Sequence, residues 1–488
     1  MGAEAEGQSY YFGPLQKSSA LGGMSWFQVA AIAACGALGV GLMRSVPAVA
    51  GMVVGLGLLG LGFGVGFVRI GGRLVEDWAF PVRYWYSGQG RRARHWERPG
   101  DSGVGARRLD APPGLEHLRF FAVRLAGGEA GVVFDQSRGA YIGVLSCRGG
   151  AFGLVDRGDK DRLLRAWGDV LNGWCVDDES ILRLQVLERT LPEDGDALAA
   201  YLQRAAAVPE SSPALASYRR LLAGAQPLSQ RHETFLVLAV SQSSPAARRL
   251  GGGDLGACEA LAQELVNLAD RARAAEVVVE GILGPAEVVR CLRAGFDPDV
   301  ALRPGSWMPG PDRPARLGDA WPGEVTTTWS RYEADGVCHA TFWVEEWPRV
   351  PVGADFLGPL FLRSKCSRTL SMVAEAVSPA RAAQEVQDAR TGFLADQALR
   401  DRAGYLPTYF RQMEGEALDR READLAAGHG EYRFSAYVTV SASDADSLEM
   451  AATGIVRLAT QCRLRLWRLY GQQDLGFACA LPLARGLR

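Results

Sequence analysis

Two apolar runs stand almost back to back near the start of the chain. Trp26–Met43 is 18 residues long with Gln28 as its only strongly polar side chain, and Val46–Val68 is 23 residues long without a charge. A helix needs about 20 apolar residues to cross a bilayer, so the second run suffices easily and the first narrowly. Arg44-Ser45 and Pro47 separate them, which leaves room only for an antiparallel reversal. The sequence therefore predicts a transmembrane helical hairpin over residues 24–70, behind an N-terminal tail of residues 1–23.

The second run carries Gly51, Gly55, Gly57, Gly60, Gly62, Gly64 and Gly66. Small residues about four apart let helix backbones approach closely. Gly51, Gly55, Gly60 and Gly64 are the candidate helix-packing positions, facing another membrane protein; the plainer reading is that glycine is simply frequent in such helices. Arginine placement sets the orientation. Arg69, Arg73, Arg83, Arg91, Arg92, Arg94 and Arg98 follow the hairpin, whereas the connection has only Arg44 and the tail only Lys17. This predicts a two-span protein of the cell membrane with both termini cytoplasmic. Trp78, Phe80, Tyr84, Trp85 and Tyr86 fit an interfacial belt, with Arg69, Arg73, Trp78 and Trp85 as anchors against membrane lipid. Ala48-Val49-Ala50 resembles a signal-peptidase site, but the preceding tail lacks a basic start and a second apolar run follows at once.

The remaining chain is long enough for more than one domain. With 48% hydrophobic and 22% charged residues it can fold around cores, and a net charge of −2 gives no pull toward nucleic acid. Fifty arginines against three lysines reflect base composition more than function. Residues 71–114 read as a basic, aromatic segment and linker. Strands and helices then alternate irregularly in two blocks, 115–296 and 323–488, divided by the proline- and glycine-rich stretch 297–322. The predicted fold class is α+β: the hairpin, then two mixed lobes of split βαβ, ferredoxin-like design. Asp156–Pro192 and Ser441–Pro482 read as one repeated unit: acidic start, amphipathic helix, arginine-alternating strand, Leu-Pro.

Chemistry is hard to find. A P-loop needs a lysine after glycine and before Ser or Thr, and Lys17, Lys160 and Lys365 all fail that test. The nine cysteines are scattered without a CxxC pair, against a disulfide framework or a zinc site and for isolated thiols in a reducing compartment. Cys338-His339 falls in a predicted strand, which sends the two side chains to opposite faces. His232-Glu233 reads as a surface pair at a strand edge, and Asp177-Asp178-Glu179 and Glu345-Glu346 as solvated acids. Gly251-Gly252-Gly253 reads as a flexible turn. No catalytic, cofactor-binding or metal-binding residue is assigned, no cofactor is expected, and the chain is predicted not to be an enzyme.

Two resemblances can be stated. The hairpin with its aromatic, basic flank resembles the PrgI family of small membrane proteins of conjugation systems. Tyr437-Val-Thr-Val-Ser-Ala442, Asp444–Leu448, Leu464-Arg-Leu466 and Gln472-Gln-Asp-Leu-Gly-Phe477 running into Ala480-Leu-Pro-Leu483 resemble the amino-terminal domain of conjugative type IV secretion ATPases of the CagE/TrbE/VirB type. Ser180–Leu191 and the segment ending in Ser378-Pro379 are similar to the same family. In that family a motor domain follows this region, and here the sequence ends at Arg488. The resemblance thus implies a non-catalytic inner-membrane component of a conjugative, type IV-like machine. It would dock a separate P-loop ATPase subunit beside other channel proteins in an oligomeric assembly, without binding nucleic acid directly. An EccE-like component of a type VII secretion system is the alternative, and a membrane-bound enzyme of unknown chemistry the second.

Overall fold

The computed structural model describes residues 10, 12, 26–45, 48–98, 111–125, 128–150, 152–175, 180–192, 202, 209, 211–225, 230–302, 313–364, 366–402, 404, 406 and 408–486. Helices α1 (Trp26–Ser45) and α2 (Ala48–Phe67) pack on each other as an antiparallel pair. Their reading as a transmembrane hairpin is corrected: among the described residues no helix is long and apolar enough to cross a membrane. That finding removes the two-span, cell-membrane description and the topology built on it. The physical reason lies in what the runs contain. Helix α1 includes the buried amide of Gln28 and carries Arg44 in its last turn. Helix α2 reaches 20 residues by including seven glycines, which add length without apolar side chain.

After the pair the chain forms a small ribbon, β1 (Arg69–Ile70) and β2 (Arg73–Leu74). Helix α3 (Val75–Tyr86), helix α4 (Gly88–Ala93) and strand β3 (His95–Glu97) follow. The first lobe then runs β4 (Leu118–Leu125), β5 (Gly128–Asp135), β6 (Ala140–Arg148), α5 (Arg157–Asn172), β7 (Ile181–Pro192), α6 (Pro213–Ala225) and β8 (Gln230–Ser241). It closes with α7 (Pro245–Arg249), α8 (Gly253–Ala274), β9 (Val278–Ile282), α9 (Pro285–Phe296) and the single turn α10 (Asp299–Leu302). The second lobe follows a 3₁₀ turn at Leu317–Ala320: β10 (Glu324–Thr327), β11 (Tyr332–Ala334), β12 (Val337–Glu346), α11 (Gly358–Leu362) and β13 (Ser367–Val377). It ends with α12 (Pro379–Arg402), α13 (Tyr409–Ala426), β14 (Glu431–Ala442), α14 (Ala445–Gln461), β15 (Arg465–Arg468) and α15 (Gln473–Cys479).

Among the described residues, all strands after the ribbon belong to one 13-stranded sheet, ordered β3-β10-β11-β12-β14-β13-β7-β8-β6-β5-β4, with β15 beside β12 and β9 beside β6. The order is the same read from either end of the two lobes. In each, an outer pair (β4-β5 or β10-β11) leads into a four-strand unit with a helix on each side connection, β9-β6-β8-β7 or β15-β12-β14-β13. Strands β7 and β13 pair antiparallel at the centre, from Arg368 opposite Thr190 to Ala374 opposite Leu184. The repeat therefore equates α8 with α14, and not the α5 segment with it as the sequence pattern suggests. The ends of these two helices show the equivalence in detail. Glu276 and Arg463 both sit in the left-handed region, at φ 62° and 58°. In both, the following N–H reaches back to the same carbonyl position, Val277 to Ala272 and Leu464 to Ala459, each at 2.9 Å. That is the closing bond of a Schellman cap, here without its usual glycine.

Alternation along the strands divides the core by face. Val133, Ile142, Val237 and Ala239 face α9, α15 and the C-terminal residues Leu481 and Leu483 in a core shared by both lobes. Phe134, Tyr141, Leu236 and Leu238 face α8, and Ala340, Phe342, Val438 and Val440 face α14. The hairpin α12–α13 is inserted between β13 and β14, where the first lobe places α6 between β7 and β8.

Candidate docking surfaces

In the helix pair, the side of α2 turned to α1 is glycine-lined. A side chain at Gly55 would collide with Met43 and meet the Gly39 carbonyl at 3.1 Å, and one at Gly62 would lie 2.8 Å from Cys35 Cβ. Gln28 donates from Nε2 to the Gly66 carbonyl at 2.7 Å, filling a helical carbonyl's free lone pair inside the contact. Gly60 and Gly64 face outward with nothing near, and the surroundings of Gly51 lie outside the described residues. Of the four sequence-assigned packing positions, then, Gly55 is packed within the pair and two others are open. Gly39, Gly62 and Gly66 complete the contact; the seven- and four-residue steps from Gly55 to Gly62 to Gly66 are visible in the sequence. The outer surface of the pair is apolar. Leu38, Val53 and Leu56 are each 60% exposed or more, and Val40, Met52 and Val54 are about half exposed.

Three of the four residues read as lipid anchors, Arg73, Trp78 and Trp85, face protein. Arg73 lies 4.1 Å from the Trp467 ring centroid and 2.9 Å from the Glu345 carboxylate. Trp78 packs edge-on to Trp467 at 5.4 Å and stacks toward Trp329, while its indole N–H donates to the Ile70 carbonyl at 3.0 Å. Trp85 meets Trp329 edge-on at 5.5 Å, with Arg94 over its other contact surface at 4.3 Å. Tyr84 donates its hydroxyl to Asp474 on α15. Arg69 remains exposed. Aromatic and cation–π contacts of this kind bind two surfaces together, so this cluster is a seam that fastens α3 and α4 to the second lobe. Strand β3 completes it, placing Trp96 opposite Val325 and burying its ring in the shared core. The sequence shows the tryptophans but not their partners, which lie more than 200 residues away.

The side chains with chemical potential are engaged in the fold. Arg368 is fully buried and paired with Glu188 at 3.1 Å, and His232 joins the same carboxylate at 2.8 Å. Strand β8 is interior to the sheet, but its pairing with β6 ends at Thr234, so the exposed His232 lies beyond it and pairs on one side only, with Thr190 of β7. His339 bridges the lobes: one ring nitrogen meets the Phe296 carbonyl at 3.0 Å and the other Ser441 Oγ at 2.8 Å. Burial lowers its pKa to about 4, against the raising effect of that carbonyl, so the ring is neutral at pH 7. Cys338 points to the α14 core on the opposite face. Burial also raises the Cys147 thiol to about 12 and those of Cys258 and Cys291 to about 11, which keeps them protonated. Glu345 and Glu346 both pair with Arg465. Asp177-Asp178-Glu179 lies outside the described residues.

Gly251, Gly252 and Gly253 all have positive φ, the conformational reason for three glycines between α7 and α8. Among the described residues, one grouping has metal-ligand types: His95, Glu97 and Glu324, exposed at the β3–β10 seam with donor atoms within 4.8 Å. Two cavities are open to the surface. One of about 470 Å³ lies between β4 and α8, and one of about 220 Å³ beside Pro351–Gly353 and Gln461–Arg463. No family model matches the chain, and no curated protein matches it.

Proposed function

We propose that the chain is a non-catalytic docking component of a larger assembly and binds a separate P-loop ATPase subunit. The observation that carries this reading is the α1–α2 pair. Its inner face is closed by glycine packing and its outer face presents Leu38, Val53 and Leu56 to solvent. A contiguous apolar surface of that kind marks a site of association. The aromatic seam supports it, because a docking element transmits load only if it is fastened to the body, and Trp78, Trp85 and Arg73 do so. The engagement of Glu188, Arg368, His232 and His339 in internal bonds supports a structural role for the sheet. The sequence likeness of residues 437–483 to conjugative ATPases supplies the identity of the partner and a type IV-like machine as the setting.

The test is co-expression of the full chain with the P-loop ATPase encoded nearest to it, followed by size-exclusion chromatography. A co-eluting complex is expected, and Val53→Ser with Leu56→Ser should abolish it while leaving the circular dichroism spectrum unchanged. Absence of a complex, or a complex indifferent to the two substitutions, overturns the reading.

A further inference from the structure

Two residues from before α1 lie against the second lobe. Tyr10 forms an isolated antiparallel bridge with Val352, in the loop between β12 and α11. Each donates its backbone N–H to the other's carbonyl, at 2.9 and 3.0 Å. Two residues on, the Phe12 ring stacks on Trp347 at 4.9 Å and lies 5.4 Å from Phe356 and 6.3 Å from Phe434. Trp347 and Phe434 meet edge-on at 5.2 Å, so the three rings wall an aromatic box around Phe12. The Tyr10 hydroxyl crosses to the first lobe and donates to Asp161 of α5 at 3.3 Å. The seat is larger than its occupant. Val352, Gly353 and Phe356 also line the 220 Å³ cavity, and neither Tyr10 nor Phe12 lines it.

We propose that Val352 and the Trp347–Phe356–Phe434 box form a recognition site for an extended polypeptide segment with aromatic side chains at alternate positions, and that Tyr10 and Phe12 close it as a displaceable intramolecular strap. The chemistry of the occupant is read from the segment seated there. Backbone pairing with Val352 supplies affinity without regard to sequence, and the side chains on either side of it supply selectivity. The box takes a ring, and Asp161 takes a phenol hydroxyl two residues earlier, the spacing at which side chains of an extended segment share a side. The contact rests on one bridge, one ring and one hydroxyl, so it can part without disturbing the sheet beneath. Lys160 and Asp355, at 3.3 Å, keep α5 and the loop together when it does. A tethered strap has the advantage of effective concentration. An incoming segment overcomes it by also filling the cavity beside Phe356. The site lies apart from the exposed face of the helix pair, and its test involves no ATPase, so the two readings fail separately.

The probe is a fluorescent peptide with the chain's own sequence Gln-Ser-Tyr-Tyr-Phe-Gly, added to full-length protein. Phe12→Ala empties the box, so anisotropy should show saturable binding to that variant at least about tenfold tighter than to wild type, whose strap competes in cis. Phe12→Ala combined with Phe434→Ala should lose the binding, as should a probe with alanine for phenylalanine. Hydrogen exchange at the Val352 amide should speed up in Phe12→Ala and slow again when the peptide is added, while β13 amides stay unchanged throughout. Three results would each overturn the proposal: no saturable binding to Phe12→Ala, equal binding by wild type and variant, or faster exchange at β13 in Phe12→Ala. The last would make Phe12 a part of the core and not a strap.

Discussion

Asp135 is the least expected residue in the core. Its side chain is fully buried, yet it carries charge: Arg485 donates from Nε and a terminal nitrogen at 3.1 and 2.9 Å, and Ser137 donates through its backbone. Burial alone would raise its pKa; Arg485, Ser137 and Arg138 together overcome that and hold it below the usual 3.8. The sign follows directly. The folded-state value is depressed, so the stabilisation is complete above the ordinary value and is lost as pH falls through the lower folded one. Arg485→Ala removes the buried cation, leaving the carboxylate only the half-exposed Arg138 at 3.1 Å as a cationic partner, and should cost about 3 kcal/mol at pH 7. As pH falls through that lowered folded-state value the wild type loses the same interaction, so thermal melts of wild type and variant should converge toward acid pH. A variant that melts with the wild type at pH 7 would show that the pair is solvated. Nothing in the sequence near Asp135-Gln136-Ser137 distinguishes it from a surface turn, because its partner is at the other end of the chain.

Elements were legible where their signal is local. Asp335-Gly336 marks the turn between β11 and β12, and both residues have positive φ, at 47° and 82°, as a two-residue hairpin demands. The break between α12 and α13 falls at Gly404, with φ 74°. Glu324–Tyr332 reads as one strand by its β-branched and aromatic residues but divides into β10 and β11, with Thr328 and Arg331 bonded across the turn between. The start of α14 is capped by Asp444, whose carboxylate accepts from the Ser447 N–H at 2.8 Å, rather than by Ser443 next to it. The glycine-rich helix shows the limit of local reading. Spacing identifies candidate positions in α2 without separating the face that meets α1 from the face that does not. Gly55→Leu should force the helices apart, because Met43 and the Gly39 backbone occupy the space, whereas Gly60→Leu should leave the pair intact. Spin-label distances between positions 38 and 56 should lengthen in the first variant only. Equal lengthening in both would contradict the packing described.

At the scale of the molecule, the two lobes look separable in sequence and are not separable in structure. The pairing of β7 with β13 makes their sheets continuous, and residues of α9, α15 and the C-terminal segment enter one core. Gln185 sits at that junction, donating to Ser371 Oγ at 2.8 Å and to the Leu481 carbonyl at 2.9 Å. No local pattern encodes a strand pairing across 180 residues, so the proline-rich stretch 297–322 suggests a boundary that the sheet does not respect. Calorimetry should accordingly show one cooperative transition for both lobes with matching calorimetric and van't Hoff enthalpies. Two resolved transitions would mean that the central pairing contributes little. The seam at β3 adds a requirement of timing. His95 and Thr326 face each other across 231 residues. At about 5–20 residues per second, a ribosome takes roughly 10–50 s to make the second strand after the first. For that interval α3 and α4 lack the strand that fastens β3 beneath them, and whatever shields the apolar helix pair in the cell must stay bound at least until β10 has been made.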